Sequence, residues 1–389
     1  MRILMTSNRG AGHIGPLVPF AHAFLRAGDD VLLAAAGQAR DTVVRAGVPF
    51  HPLADPPQDQ LDAVFDALPS LPNEEQGVRV MREVFADIDA RASLPGILRV
   101  LADYRPDVVL REPTEYAGLL AAERLGVRHG RIAIMSAAME TWGVPLVTPV
   151  LDSHRRRLGL RPDPLGRRIV ESPYMTVIPE AMEDPEDVGP PQAMRFRERD
   201  PAPGPLPDWW NGDQRPLVYV TYGSVTPTLP HFPELFRATV AALRELPARV
   251  LFTVGTEVEL EALGPVPGHV RVERWIPQSA VMPHAAAMVG HGGSGSTRMA
   301  LAAGVPSVVV PGFADQFRNA ERVAALGAGI ALPGKPDDLA GLGDAVRRLL
   351  DRPSYRTAAR RVAAEVAALP SVEDAPGALR GWLTMPLAA

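Results

Sequence analysis

At 389 residues, 46% of them apolar and 22% charged, the chain is too long for one ordinary core and has enough apolar content to fill two. Its net charge of −5 offers no electrostatic footprint for nucleic acid or an anionic membrane surface. With no cysteine, disulfides, thiolate catalysis and cysteine-held metals are excluded.

The N-terminal MRILMTSNRG is a short apolar run that ends in turn residues. It lacks the basic leader and long apolar segment of a signal peptide, and no apolar run approaches the length of a membrane span, so a cytoplasmic protein is expected. A strand is predicted over 3–6, then a helix over 16–27 with Leu17, Phe20, Ala21, Phe24 and Leu25 on one stripe. A strand at 31–35, a helix at 38–46 and a strand at 50–53 follow. Residues 56–73, rich in Pro and Asp, read as a loop with short helical turns. A helix over 74–101 is expected to break near Pro95-Gly96, followed by a strand at 108–110, a helix at 116–125 and a strand at 131–135. Short strands alternating with helices imply a parallel sheet covered on both faces.

The periodicity lapses over 184–213, where closely spaced prolines indicate a semi-rigid linker and Trp209-Trp210 read as its surface packing. Alternation resumes with strands at 217–221, 248–254, 270–274, 287–289, 307–310 and 329–332. Helices are predicted between and after them at 232–246, 296–303, 319–326, 339–351, 355–368 and 376–383. The expected architecture is α/β: two Rossmann-like, doubly wound domains over 1–200 and 214–370, a Pro-rich linker at 201–213 and a closing segment at 371–389. Ligands of such sheets bind beyond the carboxyl ends of the strands, so two domains facing across a cleft would present those ends to each other.

The first such end carries Ser7-Asn8-Arg9-Gly10-Ala11-Gly12-His13, with Pro16 opening the helix beyond. A histidine near a helix N-terminus is disfavoured as imidazolium and suited to act as a neutral base; it also reads as a loop histidine bonded to backbone. Glu112 closes the strand that Asp107 opens, roughly 16 Å away. Glu112 is therefore the carboxylate that can orient His13, or else one that meets free helix amides. In the second half, Gly223-Ser224 ends a strand and allows close approach of a ligand, or makes a simple turn. Trp275-Ile276-Pro277-Gln278 offers a flat face for a base and a side chain for ribose hydroxyls, although a lone Trp is more often core. His291-Gly292-Gly293-Ser294-Gly295-Ser296-Thr297 leads from a strand into a helix, an arrangement of amides and hydroxyls that suits a diphosphate. The loop has no Lys-Ser/Thr ending for ATP hydrolysis, and no acidic cluster to hold a metal is evident. Asp315-Gln316 pairs an acceptor with a mixed donor and acceptor, suited to sugar hydroxyls or to capping the next helix.

Taken together, Trp275 to Gln278, His291 to Thr297 and Asp315-Gln316 resemble the donor-binding signature of UDP-glycosyltransferase-type enzymes, nearest to bacterial natural-product, macrolide and antibiotic glycosyltransferases. The resemblance covers the whole chain and implies the GT-B fold, with a C-terminal helix that crosses back to the N-terminal domain. It implies an inverting hexosyl-type transfer from a UDP- or dTDP-sugar to a hydroxyl of a hydrophobic acceptor, with His13 as general base and no metal or other cofactor. Trp275 and Ile276 would hold the base and Gln278 the ribose. His291, Gly293, Ser294, Gly295, Ser296, Thr297, Gly223 and Ser224 would hold the diphosphate, and Asp315 and Gln316 the sugar. Many relatives carry Asp where Glu112 stands, one methylene shorter. Phe65, Met81, Phe85, Met135, Met139 and Trp142 are the candidate apolar acceptor pocket, although any one of them alone reads more readily as plain core. The expected partners are a nucleotide-sugar donor and a small hydrophobic acceptor, with no nucleic acid or membrane span, in a monomer or homodimer. The competing reading is a non-catalytic auxiliary protein that binds a nucleotide or a partner enzyme. A sugar-nucleotide epimerase would need further carboxylates, which the motifs do not supply.

Overall fold

Near-continuous apolar strands, buried on both faces, organise each half of the chain into a parallel sheet. The computed structural model describes residues 1–199, 206–229, 232–256, 258–333 and 336–385; residues 201–205 of the expected linker and 386–389 of the closing segment lie outside the described residues. The chain divides into two units: Met1–Ile178 with Glu183–Arg199 and Leu369–Ala389, and Pro179–Met182 with Asp200–Ala368.

The sheet of unit 1 comprises β1 (Arg2–Thr6), β2 (Asp30–Ala36), β3 (Phe50–Leu53), β4 (Val108–Arg111), β5 (Arg128–Ile132), β6 (Tyr174–Thr176) and β7 (Met194–Arg195). Their order is β3-β2-β1-β4-β5-β6-β7, all parallel. The order reverses between β1 and β4, whose last residues, Thr6 and Arg111, stand side by side. The sheet of unit 2 comprises β8 (Leu217–Thr221), β9 (Arg249–Thr253), β10 (Val270–Glu273), β11 (Ala285–Gly290), β12 (Ser307–Val309) and β13 (Gly329–Ala331). Its order, β10-β9-β8-β11-β12-β13, reverses between β8 and β11, where Thr221 stands beside Gly290. In each unit, the strands that flank the reversal deliver their following loops to the same place.

Several elements differ from the sequence reading. Residues 56–73 contain a two-turn helix, Gln58–Phe65, because Leu61 and Val64 find a buried cluster with Val84 and Ile88. The helix expected to break at Pro95-Gly96 runs on to Tyr104, after a π-wound stretch, Val80–Asp89. Gly96 suits this packing, since a Cβ there would come within 2.8 Å of Leu53. The strand expected at 131–135 lies earlier, at Arg128–Ile132. Its polar residues are accommodated individually: Arg128 donates to the carbonyls of Trp382 and Leu383, and buried Arg131 pairs with Glu140. The helix Ala137–Arg157 was not anticipated, because Pro145 and Pro149 interrupt its pattern. Part of the proline-rich stretch joins unit 1 as the edge strand β7. Trp209 and Trp210 pack on a buried cluster of unit 2, and Trp210 Nε1 donates to the His269 carbonyl at 3.1 Å.

The helix Ala375–Leu383 belongs to unit 1, where Val372, Ala375 and Leu379 share a core with Phe20, Phe24 and Val43. The ion pair Arg380–Asp29 fastens the helix, and Arg26–Glu373 fastens the turn before it. Among the described residues, no helix is long and apolar enough to cross a membrane.

Candidate active site

In unit 1, the β1–β4 pairing brings His13 and Glu112 together, with His13 Nδ1 3.1 Å from Glu112 Oε1. Glu112 is 0% exposed, and its carboxylate is held from several sides. The Thr114 amide donates to Oε2 at 2.6 Å, the Thr114 hydroxyl lies 2.8 Å from Oε1, and the Asn8 amide reaches Oε1 at 3.4 Å. Burial pushes the Glu112 carboxyl up, but the His13 charge and these hydrogen bonds outweigh it and hold its pKa below the ordinary value. An ionised carboxylate only accepts, so Nδ1 carries the proton and the lone pair of neutral His13 sits on Nε2.

The expectation that a helix N-terminus would disfavour the charged imidazole is corrected. His13 lies in the last turn of a short helix, Ala11–Ile14, and its pKa is raised. Burial alone lowers it, but the charge and hydrogen bond of Glu112 overcome that penalty, and Asp89 adds to them. The Phe85 ring meets the imidazole edge-on, with centroids 5.3 Å apart.

Of the six candidate acceptor residues, Met81, Phe85 and Trp142 join one apolar cluster with Tyr116, Leu119 and Leu120. Met135 and Met139 are half-buried around the start of the helix Ala137–Arg157, and Phe65 is exposed on its own helix.

In unit 2, the β8–β11 pairing sets His291 directly above Gly223. A Cβ on Gly223 would lie 2.6 Å from the His291 ring, and one on Gly293 would overlap Nε2, so the imidazole is gripped between two glycines. Burial drives its pKa down to about 4, leaving the ring neutral, and Nδ1 is buried with no partner. Gly293 precedes the helix Ser294–Ala302, whose first-turn amides face the loop. Thr297 Oγ1 is likewise buried and without a partner. Ser296 accepts from Gln278 Nε2 at 2.9 Å, which joins two motifs 18 residues apart. Ser294 is half-buried, and Ser224 and Gly295 are exposed.

Trp275 is 67% exposed, an unusual position for an indole, while neighbouring Ile276 packs on the cluster around Tyr219. Gln316 is buried, and its Oε1 accepts from the Gly312 and Phe313 amides at 2.8 and 3.2 Å. Only its NH2 group remains for a ligand. Asp315 Oδ2 accepts from Asn319 Nδ2, which also donates to the Gly292 carbonyl at 2.8 Å. Asn319 was missed by the sequence reading, although its spacing of four from Asp315 on a helix was visible. Asn8, Arg9 and Asp89 were also missed, since their partners are distant in sequence, and Thr114, two residues from Glu112, was passed over as well. Among the described residues, no group of three His, Asp or Glu side chains converges as a metal site.

Residues 237–379 match the C-terminal domain family of erythromycin biosynthesis protein CIII-like proteins. The chain is 34% identical to L-demethylnoviosyl transferase of Streptomyces niveus over 95% of both chains. The crystal structure of the glycosyltransferase SnogD from Streptomyces nogalater superposes with a TM-score of 0.78 at 29% identity, covering 98% of this chain and 99% of that one. SsfS6, a Streptomyces sp. SF2575 glycosyltransferase complexed with thymidine diphosphate, gives 0.75 at 28%, with 98% and 99% covered.

The chain belongs to the bacterial natural-product glycosyltransferases. The glycosyltransferase therefore has the GT-B fold of two Rossmann-like domains. Membership also disfavours the reading as a non-catalytic auxiliary protein, because the named relative above is itself a transferase.

Proposed function

We propose that this glycosyltransferase inverts the anomeric centre as it moves a sugar from a nucleoside diphosphate, with dTDP favoured over UDP, to a hydroxyl of a hydrophobic natural-product acceptor. The observation that carries the reading is the 3.1 Å contact between His13 Nδ1 and the fully buried Glu112. It leaves Nε2 to take the acceptor proton as the acceptor oxygen bonds to the anomeric carbon and the bond to the diphosphate oxygen breaks. Attack from the side opposite the leaving group inverts the centre. Glu112 orients the ring and stabilises the imidazolium. The preference for dTDP rests on SsfS6, which binds thymidine diphosphate.

Unit 2 holds the donor in this reading. Trp275 stacks on the base, with Ile276 beside it, and Gln278 holds the ribose. The loop from His291 through Gly293, Ser294, Gly295, Ser296 and Thr297, with Gly223 and Ser224, receives the diphosphate. Leaving-group charge is met by amides, hydroxyls and the helix N-terminus without a resident metal. The unpartnered His291 Nδ1 and Thr297 Oγ1 support this reading, because buried polar atoms without partners await one. Asp315 and the Gln316 amide meet the sugar. Met81, Phe85 and Trp142, with Met135, Met139 and Phe65, line the acceptor side in unit 1.

The test is His13→Ala, assayed for transfer and, by thermal shift, for binding of dTDP and UDP. Turnover should fall by about 10²–10⁴-fold while nucleotide-induced stabilisation persists. Unchanged turnover would overturn the assignment of the base.

A further inference from the structure

The loop that carries His13 is poorly supported by its own residues. Gly10 takes a φ of 104°, residues 10–12 are exposed, and nothing lies within 4 Å of a Cβ placed on Gly12. Two side chains from the π-wound stretch Val80–Asp89 hold this loop at either end. Phe85 meets the His13 ring, and Asp89 forms an ion pair with Arg9 on the other side of Gly10. Phe85 and Asp89, four apart, share one face of this helix, and such π windings are uncommon and recur at functional sites.

Asp89 is only 4% exposed, and while one oxygen meets Arg9, the other is buried without a partner. Burying a carboxylate so incompletely satisfied is costly, and a purely structural clamp would be served by a neutral amide. Burial pushes the Asp89 carboxyl up and outweighs the opposing pull of Arg9 and His13, so its pKa stays above the ordinary value, and the ion pair with Arg9 is what favours its charged form.

We propose that Asp89 is a positioning residue for His13: through Arg9 it anchors the glycine loop, and its charge adds a second negative field that stabilises the imidazolium formed as the acceptor proton moves to Nε2. This rests on the reading of His13 as the base. The groups of unit 1 that act on the imidazole charge are Glu112 beyond β4, Asp89 on the π-wound helix and Arg9 on the loop itself. The two carboxylates favour its protonated form and Arg9 opposes it.

Asp89→Asn preserves shape and a hydrogen-bond acceptor while removing the charge. Titration of the His13 ring by NMR should move to lower pH, kcat should fall about tenfold, less than on losing the base itself, and stabilisation by dTDP should be unchanged. A merely structural role would leave the titration where it is. Should the variant fold poorly, Asp89→Ser reads the same loss of charge. An unmoved His13 titration in either variant overturns the inference whatever happens to turnover. A moved titration with unchanged turnover also overturns the inference, since the Asp89 field would then not assist the proton transfer, whereas the base reading itself is decided separately by His13→Ala.

Discussion

His13 and His291 each follow a strand that borders the reversal point of a parallel sheet, yet the two units treat them in opposite ways. In unit 1, a fully buried carboxylate holds Nδ1 and the pKa rises; in unit 2, no charge compensates for burial and the pKa falls to about 4. The supporting loops differ in the same sense. Residues 9–13 are pinned by ion pairs and an aromatic edge, whereas residues 291–293 are held by close packing at Gly292 and Gly293 that leaves no room for a Cβ. The shared topology fixes where a ligand-facing residue stands, and the nearest side chains fix whether it titrates.

Removing the charge from the first site should have the largest effect. Glu112→Gln should lower kcat by about 10²–10⁴-fold, as expected when the group orienting a general base is neutralised. In the proposed role His13 must be neutral to accept a proton, so activity should fall as pH drops through its raised pKa. The substitution should therefore move the acid limb of kcat/KM to lower pH, and a limb that stays in place would break the comparison.

The second site should answer to volume instead. Gly293→Ala drives a methyl group into His291, an overpacking that costs about 1–3 kcal/mol, and calorimetry should find dTDP binding weakened by roughly tenfold or more. Turnover at saturating donor should be far less affected, and the pH profile should not move.

A smaller effect separates the two histidines by stability. Because His291 stays neutral down to about pH 4 when folded but titrates near 6.5 when unfolded, the unfolded chain binds more protons between those values. His291 therefore erodes stability as pH falls from about 6.5 to about 4. His291→Asn should show a shallower loss of Tm than the parent over that window. An equal slope would show that the ring is not held neutral.

The least effect is expected at Ala314, an exposed non-glycine residue with a φ of 55° in the turn before Asp315. Ala314→Gly should relieve the left-handed strain and raise stability by about 1 kcal/mol or less, read as a small rise in Tm.

Much of this was legible in the sequence because short apolar strands in alternation with helices leave few topologies to choose among. The strand ends at Thr6, Arg111, Thr221 and Gly290 placed His13, Glu112, Gly223 and His291 at the two reversal points. What could not be read was set by tertiary partners. Arg128, His129 and Gly130 disguised the start of β5, because Arg128 is satisfied by the Trp382 and Leu383 carbonyls, far away in sequence. Pro145 and Pro149 hid a helix that packing holds together. The helix-terminus argument pointed to a lowered pKa for His13, whereas the charge and hydrogen bond of Glu112, the carboxylate set beside it from the sequence, raise it.

The return of residues 369–385 to the first unit also orders events during synthesis. Unit 1 has all its strands once Arg199 is made, but its core still lacks Val372, Ala375 and Leu379. About 170 further residues, those of unit 2, must leave the ribosome first, which takes roughly ten to thirty seconds at ordinary elongation rates. Over that interval the core of Phe20 and Phe24 stays incomplete, so the second unit, though begun later, has its whole core available before the first.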